Sequence, residues 1–187
     1  MIRFAKEEDR TQIARLVLII LKDMEAAVLQ KLGDRQTCQL LEEAMLDSDY
    51  RYGLKRGLVY EIDQHVAGIA FGYPADDEVI IDRPMDRLMA AHGLSGEKFF
   101  TDSETFCGEW YLDTLCVAES FRGHGIASQL LAASDQLAKK SGALKIGLCC
   151  DFANERAQRL YAKNGYKIVG KQILGSHPYH HMQKELD

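Results

Sequence analysis

The segment Arg122-Gly123-His124-Gly125-Ile126-Ala127-Ser128 lies between an apolar, strand-like stretch and an amphipathic, helix-like one. The chemistry open to it is phosphate binding. A helix start leaves backbone N–H groups unpaired and carries the positive end of a dipole. Glycines at 123 and 125 admit unusual dihedrals and hold no Cβ between those amides and a pyrophosphate. Arg122 adds a permanent charge beside them. A lone G-x-G is more often a plain tight turn with a surface arginine. Strand, arginine, two glycines, small residues and helix in this order favour the phosphate. A P-loop is excluded, because no Gly-Lys-Ser/Thr follows. Gly123-x-Gly125-x-x-Ser128, with Asp151 after the next strand, approaches a dinucleotide fingerprint. The third glycine is missing, however, Ala118 to Phe121 intervene before the first, and there is no succession of βαβ units.

Other reactive residue types are less informative. The five cysteines, Cys38, Cys107, Cys116, Cys149 and Cys150, form no C-x-x-C pair and read as reduced cytosolic thiols. Cys149-Cys150 reads as a buried strand pair rather than a nucleophile. His177-Pro178-Tyr179-His180-His181 invites a metal reading, but adjacent strand residues point to opposite faces and no ligand lies at metal spacing. No metal is expected. Trp110 and Tyr111 suit core packing better than a substrate slot. A formal charge of -5 with pI ≈ 5.7 disfavours nucleic acid as a partner. Leu16 to Leu21 is the longest aliphatic run, too short for a membrane span and wrongly flanked for a signal peptide. The expected location is cytoplasmic, with no membrane partner.

The elements that must position the glycine turn can be read from periodicity. Ile2 to Ala5 reads as a strand, followed by a helix over about 6–32 that ends at Gly33, and a second helix over about 36–46. Leu58 to Ile62 and Val66 to Tyr73 read as a hairpin turning at Asp63-Gln64-His65. Residues 75–107 are irregular, with a short helix around Pro84 to His92. They form either an excursion near the active site or a mobile surface insert. Regularity returns with a strand over Glu109 to Val117, a helix over Gly125 to Ser141 stopped by Gly142, and a strand over Lys145 to Cys150. A helix over Asn154 to Lys163, a strand over Tyr166 to Val169, a turn over Gly170 to Pro178 and a strand over Tyr179 to Leu186 complete the chain. The expectation is a single α/β (α+β) domain across 1–187. Its sheet is mixed and mostly antiparallel, with about six or seven strands and about four flanking helices.

Arg122-x-x-Gly125-x-Ala127 resembles the [Q/R]-x-x-G-x-[G/A] signature of the GNAT superfamily of N-acetyltransferases. Asn154-x-x-Ala157-x-x-Leu160-Tyr161-x-x-x-Gly165-Tyr166 resembles that family's second segment. The likeness is firm over about 109–169, and residues 75–107 have no counterpart. It implies acetyl-CoA as co-substrate and acetyl transfer to a primary amine by direct attack in a ternary complex. It further implies that backbone groups at Leu115, Cys116 and Val117 bind the pantetheine arm. Arg122, Gly123, His124, Gly125, Ile126, Ala127 and Ser128 would hold the pyrophosphate, with the His124 ring outside. Asn154 would also reach the cofactor, and Tyr161 would lie near its sulfur.

A lysine-like amine must lose its proton before attack, at a cost of ~4.6 kcal/mol at pH 7. The resemblance makes Asp113, four residues before Val117, the first candidate to accept it, directly or through water. Glu109 is the second, on the same strand. A strand N–H near Val117 would polarise the thioester carbonyl. Tyr161 would support the leaving sulfur by a hydrogen bond, since full proton transfer from a phenol to a thiolate is uphill by ~2 kcal/mol. The partner is a small-molecule or protein amine, and a homodimer is an admissible assembly. The rival class is a non-catalytic acyl-CoA-binding sensor or regulatory domain.

Overall fold

The computed structural model describes residues 1–187. Seven strands form one sheet: β1 (Ile2–Phe4), β2 (Gly57–Ile62), β3 (His65–Pro74), β4 (Trp110–Val117), β5 (Lys145–Asp151), β6 (Lys167–Leu174) and β7 (His177–Glu185). Their order is β1-β2-β3-β4-β5-β7-β6, and every pairing is antiparallel except β4 with β5. Five helices accompany them: α1 (Arg10–Asp23), α2 (Ala27–Ala44), α3 (Arg83–Ala91), α4 (Ile126–Lys140) and α5 (Glu155–Lys163). The α/β reading with a mostly antiparallel sheet stands, with one helix more than the four anticipated.

Alternation along the strands sends successive side chains to opposite faces, so the sheet has two cores. On one face, α1, α2 and α3 pack Ile13, Val17, Leu40, Leu41 and Met85 against Val59, Ile69 and Phe71. On the other, α4 packs Ile126, Leu130 and Leu131 against Ala67, Ala70, Leu112 and Leu148, with Leu160 and Tyr161 of α5 alongside.

Two local readings change and one at Gly33 holds. The first long helix is cut after Asp23, because Glu25 adopts φ +52° and the Ala26 N–H donates back to the Leu21 carbonyl at 2.9 Å. The apolar spacing runs through this stop without a gap, so periodicity does not reveal it. Gly33 is the break that the sequence suggests: at φ +67° and ψ 169° it is non-helical and divides α2 into two helical segments that meet at a kink. Lastly, β6 continues through Gly170, which was read as a turn. The register shifts between Ile168 and Gly170, and a Cβ at Gly170 would meet the Phe106 ring at 2.8 Å. That glycine marks a bulge and a close approach, not a reversal. The hairpin behaves as read, with Asp63 and Gln64 both at positive φ (46° and 64°) between β2 and β3.

Candidate active site

β4 and β5 run side by side but pair only at Trp110↔Ile146 and Tyr111↔Gly147. Past that point they separate, and a cavity of about 510 Å³ passes through the opening. Its α4-face wall includes Arg122, Gly123, Gly125, Ile126, Ala127, Ser128, Asn154, Leu160 and Tyr161; its α1-face wall includes Ile19, Ile20, Asp23, Met24, Glu104, Tyr111 and Cys149. Asp113, Leu115, Cys116 and Val117 line it from the open edge of β4. The gap thus joins the two faces of the sheet.

On the α4 face the glycine turn has the form a phosphate needs. Gly123 and Gly125 adopt φ +87° and +75°, and a Cβ at either would meet nothing within 4 Å. Backbone strain alone therefore favours glycine there, and the space beyond is free. No side chain caps α4, so its first N–H groups remain available. Arg122 folds back, its Nε donating to the Val117 carbonyl at 3.1 Å, which ties the turn to the end of β4. His124 is exposed, its Nδ1 lies 3.3 Å from the Phe121 carbonyl, and its ring does not line the cavity. Asn154 caps α5, its Oδ1 accepting from the Ala157 N–H at 3.0 Å. Its side-chain oxygen is therefore engaged within the chain, and its amide NH₂ remains for a ligand.

Tyr161 borders the same space, and its hydroxyl makes no hydrogen bond within the chain. Burial raises its phenol above the ordinary range, and the nearby Cys150 and Cys116 thiols add to the effect. At neutral pH it is a hydrogen-bond donor. Burial likewise pushes the Cys116 and Cys150 thiols up to about 11, which keeps both protonated.

The other face holds a buried charge cluster. The β3–β4 register passes from Phe71↔Thr114 to Gly72↔Leu112, leaving Asp113 as the extra residue of a bulge. Its Oδ1 accepts from Arg51 Nη1 at 2.7 Å, and its Oδ2 accepts from the Thr114 hydroxyl at 2.9 Å. Arg51 is only 2% exposed in its side chain. It also grips Asp82 with two bonds of 2.8 Å and reaches Glu104 Oε1 at 3.0 Å. Its guanidinium lies 3.6 Å from the Phe100 ring centroid. Glu104 Oε2 accepts from the Tyr111 hydroxyl at 2.9 Å. Burial pushes Glu104 up to about 7, with Arg51 opposing and Asp113 adding to the rise. Burial also raises Asp113, again against Arg51. One cation thus faces three carboxylates, of which Glu104 and Asp113 are buried and Asp82 is partly exposed, and the cluster favours holding a proton near neutrality.

Arg51 and Glu104 were not singled out from the sequence, where Asp82 stands only among the acids of the irregular stretch that suit a solvated surface. Asp82 and Glu104 lie in residues 75–107, so that stretch is an excursion that builds the site's wall. The only sequence signal was an arginine between two tyrosines, Tyr50-Arg51-Tyr52, as a polar residue in an apolar setting. Glu109 stands elsewhere. It is buried beside Gly147, accepting from the Phe106 N–H at 2.7 Å, from Gln183 Nε2 at 2.7 Å and from His181 Nε2 at 3.0 Å, and it does not reach the cavity. The bulge at Asp113 separates the two acids that simple alternation would place together. His180 stacks on Phe152 and His181 on Phe106, each on its own side of β7. Trp110 packs over Gly72 in the core, whereas Tyr111 lines the cavity.

Known proteins share this fold. Solved structures with the same fold include one described as an acetyltransferase, 49% identical with a TM-score of 0.90 over 100% of both chains. An N-acetyltransferase from Staphylococcus aureus Mu50 is 31% identical, with a TM-score of 0.89 over 98% of this chain and 99% of that one. A Salmonella typhimurium protein, yncA, solved with its cofactor acetyl-CoA, shares the fold at 18% identity and a TM-score of 0.63, covering 100% and 94% of the two chains. Among curated proteins, the chloroplastic GCN5-related N-acetyltransferase 4 of Arabidopsis thaliana is 39% identical over 59 residues, 32% of this chain and 20% of that protein. The chain thus spans well under half the length of that relative. The acetyltransferase (GNAT) family pattern matches residues 23–166, and the chain, with its split sheet and bare helix entrance, belongs to that family of acetyltransferases.

Proposed function

We propose that this protein transfers the acetyl group of acetyl-CoA to a primary amine by direct attack in a ternary complex. The observation that carries the reading is the through-sheet cavity, with uncapped helix amides on one face and a proton-holding carboxylate cluster on the other. The two halves of the reaction need opposite environments, and the gap between β4 and β5 joins them.

The glycine turn fits a diphosphate, since nothing fills the space that Cβ atoms at 123 and 125 would take. Amides from Gly123 to Ser128 would hold the pyrophosphate, and the open edge of β4 near Leu115 and Val117 would hold the pantetheine arm. When bound, acetyl-CoA supplies an activated acyl carbon. Glu104 and Asp113 take the proton of the incoming ammonium, directly or through water, and Arg51 keeps both carboxylates aimed. Glu104, with its proton affinity near neutrality, is the better matched acceptor, and Asp113 is held on the same guanidinium. A β4 N–H near Val117 polarises the carbonyl. Tyr161 hydrogen-bonds the sulfur as charge grows on it.

A panel of amines with acetyl-CoA, read by free-thiol release, tests the assignment. Turnover beyond one equivalent of thiol per chain is expected with at least one amine. Tight acetyl-CoA binding with no amine-dependent turnover in a broad panel would instead favour an acyl-CoA sensor.

A further inference from the structure

The cavity wall carries a group that this reading leaves idle. Cys149 lies two residues beyond the last β4–β5 pair, where the strands have parted, and it borders the cavity. Its side chain packs with Tyr73 and Tyr111, on the face where the amine must stand, whereas Cys150 belongs to the α4 side. The Cys149 Sγ lies 3.5 Å from His181 Nδ1, and His181 Nε2 lies 3.0 Å from Glu109 Oε2. With Glu109 Oε2 accepting from Nε2–H, Nδ1 is the ring nitrogen left to accept from the thiol. The ring cannot turn. It is wholly buried and stacked on Phe106 at 3.7 Å and 2°. Glu109 is held by the Phe106 N–H and Gln183, and Gly147 gives it room, because any Cβ there would collide with its carboxylate. Thiol, oriented base and orienting acid in that order make a built nucleophile.

We propose that Cys149 is a second acyl acceptor of this cavity, taking the acetyl group from acetyl-CoA when no amine is present. The inference rests on the function proposed above. The Cys149 S–H proton passes to His181 Nδ1 as sulfur attacks the thioester carbonyl carbon. A new carbon–sulfur bond forms to Cys149, and the bond to the coenzyme sulfur breaks. The departing thiolate takes the proton from the imidazolium. One thioester replaces another, so no further reactant is needed. Burial pushes the thiol up to about 12; Cys149 is therefore not a free thiolate at neutral pH, and its reaction depends on His181. Gln172 Oε1, at 3.4 Å from Sγ, competes for the thiol proton in the resting state.

The test is to incubate the whole protein with acetyl-CoA and no amine, then map acetyl groups by peptide mass spectrometry before and after hydroxylamine, which cleaves thioesters but not amides. The expected result is one hydroxylamine-labile acetyl group on the Cys149 peptide, with none on Cys107, which is exposed. Glu109→Gln, which reverses the hydrogen bond that sets the tautomer, should slow this acetylation about a hundredfold with acetyl-CoA affinity by calorimetry unchanged. Gly147→Ala, which displaces the Glu109 carboxylate from below, should do the same if Glu109→Gln folds poorly. Acetyl-CoA binding without acetylation of Cys149, or equal rates in both variants and the parent, overturns this inference and leaves amine transfer standing. Absence of acetyl-CoA binding overturns both.

Discussion

At the scale of single residues, Glu104 and Tyr161 border the cavity from opposite faces of the sheet and have opposite duties. Glu104 must be unprotonated to accept a proton, and burial holds it near about 7. The rate with a limiting amine should therefore fall as pH drops below neutrality. Glu104→Gln should remove that acidic limb and lower kcat by about a hundredfold, with acetyl-CoA affinity unchanged. A pH–rate profile of both proteins checks this, and an unchanged limb in the variant would move the role to Asp113. Tyr161→Phe should lower kcat by roughly tenfold or more without weakening acetyl-CoA, because only the hydrogen bond to the developing thiolate is lost. Parental turnover would remove the role from Tyr161. Arg51 is a different case. Removing it leaves three carboxylates around a buried void, so Arg51→Met should cost roughly 3–5 kcal/mol in urea unfolding at pH 8. The loss should shrink at pH 5, where Glu104 holds a proton.

At the scale of elements, the entrance of α4 and the bulge in β4 decide what the cavity can hold. Gly125 adopts φ +75° with open space around it. Alanine there meets no atom, so Gly125→Ala should cost only about 1–2 kcal/mol of backbone strain and leave measurable binding. Gly125→Asp adds the same strain plus a negative charge among the helix amides, and it should abolish acetyl-CoA binding by calorimetry. Equal affinities in the two variants would show that the diphosphate lies elsewhere. The bulge acts on the other face. By inserting Asp113 between Leu112 and Thr114 it turns that carboxylate towards Arg51. Glu109, which strict alternation would set beside it, points instead at His181.

At the scale of the whole molecule, buried carboxyl groups pull stability in two directions with pH. Burial also pushes Asp9 and Glu78 up, but hydrogen bonds from Arg3 and Lys6 to Asp9, and from Ser103, Glu104 and Thr105 to Glu78, outweigh it, so both are lowered. Their contribution is present above the ordinary carboxylate range and is lost as pH falls through their folded values. Glu104 and Asp113 are raised, so their contribution is full in acid and is lost as pH rises through their folded values, about 7 for Glu104. Stability should therefore peak near the ordinary carboxylate range, about pH 4 to 5, and decline from there towards neutrality. Urea midpoints across pH check this, and Glu104→Gln should flatten the decline on the neutral side.

The sequence by itself determined the helix entrance at Gly123 to Ser128, the tyrosine on α5, the β2–β3 hairpin and the strand–helix order from β4 onward. Each is written in contiguous residues, by glycine at a positive φ, by a cap, or by apolar spacing within one element. Only the tertiary structure decided the acceptor side. Arg51 follows α2, Asp82 and Glu104 flank α3 on an irregular path, and Cys149, His181 and Glu109 come from three separate segments. No spacing along the chain encodes these meetings, because they arise from strand order, from a one-residue bulge that reverses a side chain, and from the parting of β4 and β5. The stop after Asp23 was hidden for the opposite reason. An apolar stripe reports which face is buried, whereas a single residue at positive φ ends the helix without altering that stripe.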